Sequence, residues 1–481
     1  MRHLLTCSPF RQVTIGKLSD NVLLKIFCFY LDASPPFWPT LAHICRKWRR
    51  IVFASFRLYI TRGTPVSNTL DRRLALPIVV QYGGLPAQDP PAPEDEENII
   101  SALKQSDRVL SINLTVTSSL LEKLSAIERP FSKLEDLVLL SRDSPRLALP
   151  SAFGRSTRLR SLHLTKIALL ALPQLLYSSR DLIDLQLHEV LNSWLLSPEA
   201  LTDALSGMAQ LQYLSLHFLP TTDHVGVTLS SRKRVVLPAL TRLDFRGLTK
   251  YLGDLVSGIN APRLGDIEVT FSDEFISAPS LSQLTEFVDL TEMHKLHRHA
   301  HIISSNRAIS IALRQPGTPT CLKLRFFRES LAQQLSTIAR ICIIFFAFLF
   351  NVEDLRISAT RQPRGKNSLD IGRWQEPLNS FTGVKWFHVS GNLSADIMGA
   401  LQLSDRSLQT VLPVMHKLYI PQPDSRHAPL TETVVSFITS RRRSGHHVAI
   451  EYEQSSHIKE LPGAGMMHAE CYHNTLLTYI A

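Results

Sequence analysis

Cysteine is scarce and unpaired: Cys7, Cys28, Cys45, Cys321, Cys342 and Cys471 are all the chain has in 481 residues, and no CxxC occurs. A secreted disulfide scaffold would be denser in cysteine and a zinc site would need paired ligands, so a reducing compartment is expected. Long apolar runs are missing as well. The most apolar stretch, Ile341 to Phe350, is ten residues long, against the roughly 20 that span a bilayer. NVEDLRIS follows it at once, which predicts a buried helix entering a strand. The opening MRHLLTCSPFRQ lacks the apolar core of a secretory leader. Together these predict a soluble intracellular protein, cytoplasmic or nuclear, with no membrane partner.

Motifs of enzyme chemistry are absent too. No P-loop, HExxH, GxSxG or dinucleotide fingerprint is present, and Gly463 and Gly465 in LPGAGMM follow no strand-to-helix unit. Carboxylate pairs such as Glu135-Asp136, Asp273-Glu274 and Glu353-Asp354 are sequence neighbours, which a strand sends to opposite faces. No enzyme, catalytic residue or cofactor is therefore expected. HKLHRHAH (His294, His297, His299, His301) is the one ligand-like cluster, but no carboxylate or cysteine lies inside it. It reads as a polar connector and not a metal site. The Asn113 and Asn392 sequons sit at or beside expected strands and are chance matches.

Charge of one sign is not concentrated. The net charge of +10 comes from 52 basic against 42 acidic residues, spread along the chain. The densest basic clusters are Arg46-Lys47-Trp48-Arg49-Arg50 and Arg441 to Arg443. Nucleic acid is not indicated, and polyanion binding through those clusters is the weakest option.

Leucine is what the chain has in excess: 75 residues, 31 of them between Leu103 and Leu216. They fall in a recurring pattern of apolar, two others, apolar, one other, apolar. Copies begin at Val109, Leu134, Leu159, Leu182, Leu211, Leu240 and Leu264, at intervals of 25, 25, 23, 29, 29 and 24 residues. Leucine-rich repeats are expected at about 20–29 residues. Looser copies start at Ala308, Val352, Val384 and Met415, and the register is lost between. Each copy predicts a strand followed by a returning helix or loop such as SPEALTDALSGMAQ. Stacked, they predict an α/β fold: an irregular leucine-rich-repeat-like solenoid with a parallel sheet over residues 57–450, irregular over 272–345. The asparagine that usually closes the motif is missing, with Ile167 in its place. Residues 83–98 (GGLPAQDPPAPEDEEN) read as an exposed loop ahead of a helix at IISALKQ, and residues 451–481 as a tail. GHHVAIEY reads as a final strand.

Residues 15–56 have helical periodicity instead. Val22, Leu23, Ile26, Phe27 and Tyr30 share one face, with Ser19 or Asp20 placed to cap it. Pro35, Pro36 and Pro39 forbid continuing. A second helix from about Thr40 carries Leu41, Ile44, Cys45, Trp48 and Val52 on one stripe. This stretch resembles an F-box, whose pattern is an LP pair, V-L-x-x-I-F on one helix, then L-x-x-V-C-x-x-W-R on another. Leu18, Val22, Leu23, Ile26, Phe27, Leu31, Leu41, Ile44, Cys45, Trp48 and Arg49 stand at those places, and Ser19 replaces the usual proline. With TRGTPVSNTLDRRLALPIVVQY behind it, the front of the chain resembles the large fungal set of F-box proteins with degenerate leucine-rich regions.

The resemblance implies that Leu18, Val22, Leu23, Ile26, Phe27, Leu41, Ile44, Cys45 and Trp48 dock onto a Skp-type adaptor, and so onto a cullin-RING ubiquitin ligase. The chain would then choose a protein substrate. The outward positions of the predicted strands supply a face for it: Ser161, His163 and Thr165; Asp184, Gln186 and His188; Tyr213, Ser215 and His217; Arg242, Asp244 and Arg246; Asp266, Glu268 and Thr270. The competing expectation is a non-catalytic interaction scaffold whose F-box-like helices cap the solenoid's first repeat.

Overall fold

The computed structural model describes residues 18–33, 41, 43–55, 57–62, 76–82, 91–142, 149–167, 172–190, 196–218, 234–273, 276–291, 297–317, 320–359, 372–389, 393–405, 411–421, 428–443 and 445–453. Pro35, Pro36, Pro39, His294, Asn392, Gly463, Gly465 and the expected tail beyond Glu453 lie outside them. Glu451, Tyr452 and Glu453, expected in that tail, belong to the last strand, whose ladder with the preceding strand extends through them.

The front of the chain forms helices α1 (Asp20–Ala33) and α2 (Arg46–Ser55), with Leu41, His43 and Ile44 helical ahead of α2. Ser19 caps α1 by accepting the Val22 N–H at 3.4 Å. The helices are pinned by Lys47, which donates to the Leu18 carbonyl at 2.7 Å, and by the Arg50–Asp20 ion pair at 3.0 Å. Leu23, Phe27, Leu41, Ile51 and Val52 close a small core between them, a cluster separate from the one that runs through the sheet.

Each leucine-rich copy supplies one strand. Strands β1 (Leu58–Ile60), β2 (Ile78–Gln81), β3 (Val109–Val116), β4 (Asp136–Ser141), β5 (Ser161–Thr165), β6 (Asp184–Val190) and β7 (Tyr213–Phe218) lie side by side in chain order. The short β8 (Val235–Val236) leaves the row, and β9 (Arg242–Gly247) resumes it. β10 (Ile259–Asn260) pairs with β8, and β11 (Asp266–Phe271) lies against β9. Leu134, Leu159, Leu182, Leu211, Leu240 and Leu264 are buried just before their strands. At these entrances one carbonyl takes two N–H groups from the next copy. Ile183 accepts from Gln212 and Tyr213, Gln212 from Thr241 and Arg242, and Thr241 from Gly265 and Asp266. The repeat spacing thus fixes register through the backbone.

The expected irregular stretch holds a reversal. β12 (His299–Ser304), β13 (Ala308–Arg314) and β14 (Cys321–Phe327) enter the sheet in inverted order, with β14 on β11 and β12 on β15 (Asp354–Ala359). β13 is antiparallel to both neighbours. The copy at Ala308 is therefore a hairpin strand, not a repeat unit. Gly317, at φ +74°, sits in the β13–β14 turn, where the left-handed backbone favours glycine. β16 (Trp386–Val389), β17 (Lys417–Pro421) and β18 (Ala449–Glu453) complete a mostly parallel sheet of 16 strands.

Helices form the second layer. They are α3 (Pro93–Leu103), α4 (Ser118–Ser125), α5 (Leu172–Ser178), α6 (Pro198–Leu205), α7 (Thr249–Ser257) and α8 (Ala278–Asp289), then α9 (Leu331–Ile344), α10 (Phe346–Leu349), α11 (Gln375–Leu378), α12 (Ser394–Asp405) and α13 (Ala428–Arg443). From α5 through α9, and again from α11 through α13, each touches the next. Side-chain caps start several of them: Thr117 for α4, Ser197 for α6, Ser277 for α8, and a Ser330–Gln333 capping box for α9. The loop expected to reach residue 98 ends sooner. Pro93 opens α3, its fixed φ suiting the first helical position, and Glu94, Asp95 and Glu96 complement the helix dipole. The apolar run 341–350 is explained by the reversal, since the chain must return over the hairpin to reach β15. Ile341, Phe345 and Leu349 line a small gap with Ile311, Leu313, Leu322 and Leu324. No helix of the described residues is long and apolar enough to cross a membrane.

Candidate functional site: an apolar helical patch and a polar sheet face

The nine residues expected on the adaptor-facing patch divide by burial. Leu23, Phe27 and Leu41 are buried in the module's own core, so they present nothing to a partner. Leu18 and Trp48 are half-buried against it, with the Trp48 ring 4.6 Å from that of Phe27. Leu23, Phe27 and Leu41 close the module's core together with Ile51 and Val52, which corrects the docking role given to those three. Val22, Ile26 and Ile44 remain 43 %, 46 % and 55 % exposed. Exposed Cys45 accepts the Trp48 N–H through its sulfur at 3.4 Å.

The outward strand positions form three ladders in register. The first runs Asp136, Ser161, Asp184, Tyr213, Arg242, Asp266. The second runs His163, Gln186, Ser215, Asp244, Glu268, and the third Thr165, His188, His217, Arg246, Thr270. Strands about 4.8 Å apart bring these side chains into contact. His163 meets His188 edge-on at 4.9 Å, and His188 stacks on His217 at 4.0 Å. His217 Nε2 lies 3.2 Å from Asp244, Arg242 3.4 Å from Asp266, and the Gln186 amide donates to Asp184 at 3.1 Å. The Arg242 guanidinium also lies over the Tyr213 ring. His163, Thr165 and Ser215 are buried, not solvated as the alternation predicted, because same-face neighbours cover them.

Burial sets the electrostatics of this face. It pushes the Asp184 carboxyl up to about 6 against the Gln186 hydrogen bond, and it raises Asp136, Asp266 and the Tyr213 phenol. Burial, with His217 nearby, holds the His163 imidazole down to about 4. His163 is thus neutral in the fold down to acid pH but charges in the unfolded chain near 6.5. Its contribution is intact above that value and is lost as pH falls toward 4. A His163→Gln variant is expected to shed that acid sensitivity, narrowing the stability lost between pH 7 and pH 5 by about 2 kcal/mol. Urea midpoints of both proteins at the two pH values measure it. An unchanged difference would remove His163 from the account.

The ladders extend into a half of the sheet that the sequence reading left out. Asp354 is met by His299 Nδ1 at 2.9 Å, His388 Nε2 at 3.5 Å and Arg356 at 3.8 Å. His301 bonds Ser358 at 2.9 Å, and burial, with Arg356 and Arg314, lowers its imidazole to about 4. The His388 and Tyr419 rings stack at 4.0 Å. His299 and His301 therefore belong to a central strand, not to a connector, and His297 is buried beside Phe348. Applied to the copies at Val352, Val384 and Met415, the alternation that found the first half would also have found Asp354, Arg356, His388 and Tyr419.

Among the described residues no group of three or more His, Cys, Asp or Glu is placed to hold a metal ion. Ser215 is buried, bonded to His188 Nε2 at 2.8 Å and 3.5 Å from His217 Nε2, the nitrogen that also faces Asp244 at 3.2 Å. What the face offers is a fixed array of hydrogen-bonding, aromatic and charged groups. The chain matches no protein-family model and no curated protein.

Proposed function

We propose that the chain is a non-catalytic recognition protein. Within that class we infer a substrate-recognition subunit of an SCF-type ubiquitin ligase. Helices α1 and α2 dock onto a Skp-type adaptor, the sheet face of a leucine-rich-repeat-like solenoid binds the substrate protein, and the cullin-RING partner supplies the chemistry. The observation that carries this reading is the exposure of Val22, Ile26 and Ile44 on a module whose core is already closed beneath them. Val22 and Ile26 lie one turn apart on α1, and bulky aliphatic side chains left exposed on so small a module suit a contact surface. The scaffold alternative has these helices capping the sheet, which calls for a core shared with it. Among the described residues the two cores are separate clusters.

Co-expression of the full chain with a Skp-type adaptor, followed by gel filtration at high salt, tests the reading. A stoichiometric complex that survives salt is expected, because apolar docking is not screened. Soluble chain eluting alone would overturn the ligase reading in favour of the scaffold.

A further inference from the structure

On the sheet face Arg242 has Asp266 as its carboxylate partner, and Lys323 has Glu268. The third ladder carries two arginines without one among the described residues. Continued past Thr270 it runs Arg246, Thr270, Arg325, Ser310 on four adjacent strands. Arg246 and Arg325 are both exposed, and neither guanidinium meets a carboxylate among the described residues. Both instead lie over one ring, Phe327, at 5.7 and 5.4 Å from its centroid. The Thr270 hydroxyl between them and the Ser310 hydroxyl beyond are likewise unbonded among the described residues.

We propose that Arg246, Thr270, Arg325 and Ser310 form a phosphoryl-binding subsite, and that the protein segment bound by this face carries a phosphorylated side chain there. The inference rests on the face being a protein-binding surface. Two like charges held at one aromatic ring, with no counter-ion among the described residues, are an arrangement completed by an anion. The ring's negative face moderates their repulsion and orients both planar forks. A carboxylate neutralises one of them. A phosphomonoester carries nearly two charges and three acceptor oxygens, enough for both guanidiniums and the intervening hydroxyls. An extended polyphosphate backbone fits worse, since Asp244, Asp266 and Glu268 border the pair on the other two ladders. One isolated phosphoryl group on a peptide is the ligand those flanks admit.

The test uses the full chain, co-expressed with the adaptor and immobilised. The probes are a synthetic peptide library with a central phosphoserine in random flanks, the same library with serine or aspartate at that position, and a single-stranded oligonucleotide. The phosphoserine library should be retained at least about tenfold over both controls. Arg246→Gln and Arg325→Gln should each remove most of that preference without changing the melting temperature. Arg325→Lys, which keeps the charge but loses the fork, should fall between. Equal retention of the serine library, or of the aspartate library, overturns the proposal. So does a steeply salt-dependent oligonucleotide signal that the same variants abolish. Adaptor in the eluate is scored separately. Phosphopeptide held without adaptor leaves the subsite standing and sinks the ligase reading, and adaptor without phosphopeptide selectivity sinks the subsite alone.

Discussion

Replacing Ile26 and Ile44 together with aspartate is expected to abolish adaptor binding while leaving the protein folded. Both side chains are about half exposed in the free chain and neither belongs to the α1–α2 core. The substitutions therefore remove little packing from the monomer. In a complex the same atoms would be desolvated, and truncating a central apolar anchor costs about 2 kcal/mol or more. Aspartate adds the cost of burying an unpaired charge. Two such sites correspond to a loss of about a thousandfold or more at 1.4 kcal/mol per tenfold. Calorimetric titration of the purified adaptor into wild-type and double-variant protein measures it, with circular dichroism as the folding control. Unchanged affinity would show that α1 and α2 dock by another face or not at all. A large drop in melting temperature would instead point to the scaffold arrangement, in which those isoleucines are covered within the chain. Phe27→Ala would not distinguish the two, since Phe27 is fully buried and its loss damages the module under either reading.

The strands were legible because their signal is local. A leucine pattern of about 25 residues encodes both the inward side chains and the backbone bonding at each strand entrance, so the copies from Val109 to Leu264 give β3 to β7, β9 and β11 directly. The order of β12, β13 and β14 was not legible. A strand sequence such as AISIALR has the same alternation whether its neighbours are parallel or antiparallel, and what decides the matter is pairing across some 50 residues. The polar face was legible for the same reason as the strands, through period-two alternation. Its burial was not. His163 looks identical in sequence to the half-buried His188, yet it is buried, with the Thr165 hydroxyl 3.1 Å from its Nε2, a contact set by the folded chain and not by the alternation. At the helical module, periodicity identified one apolar stripe on each helix but not the dividing line within it. Leu23 and Ile26 are both apolar and one turn apart, yet the first is core and the second surface.

The same ambiguity governs Arg441, which sits in a run of three arginines that reads as an exposed basic cluster. Arg442 and Arg443 are exposed, whereas Arg441 is buried, donates to the Val411 and Leu412 carbonyls, and lies over the Phe437 ring at 5.3 Å. This removes it from any polyanion surface and makes it a brace. Leu412 holds a left-handed backbone at φ 52°, costly for a residue with a β-carbon, in the turn that leads into β17. The guanidinium binds the carbonyls on that turn. Arg441→Met keeps most of the stem and removes the donors. Apolar replacement of a buried ion pair is often tolerated because both partners leave together. Here the partners are backbone carbonyls that cannot leave, so the charge-assisted bonds are lost outright, at about 3 kcal/mol in total. Arg442→Met and Arg443→Met, changed one at a time, should stay within about 0.5 kcal/mol of wild type, as surface substitutions do. Urea unfolding of the three single variants reads the contrast. Three equal shifts would mean that the run acts as one charged cluster, and a shift confined to Arg441 would establish the brace.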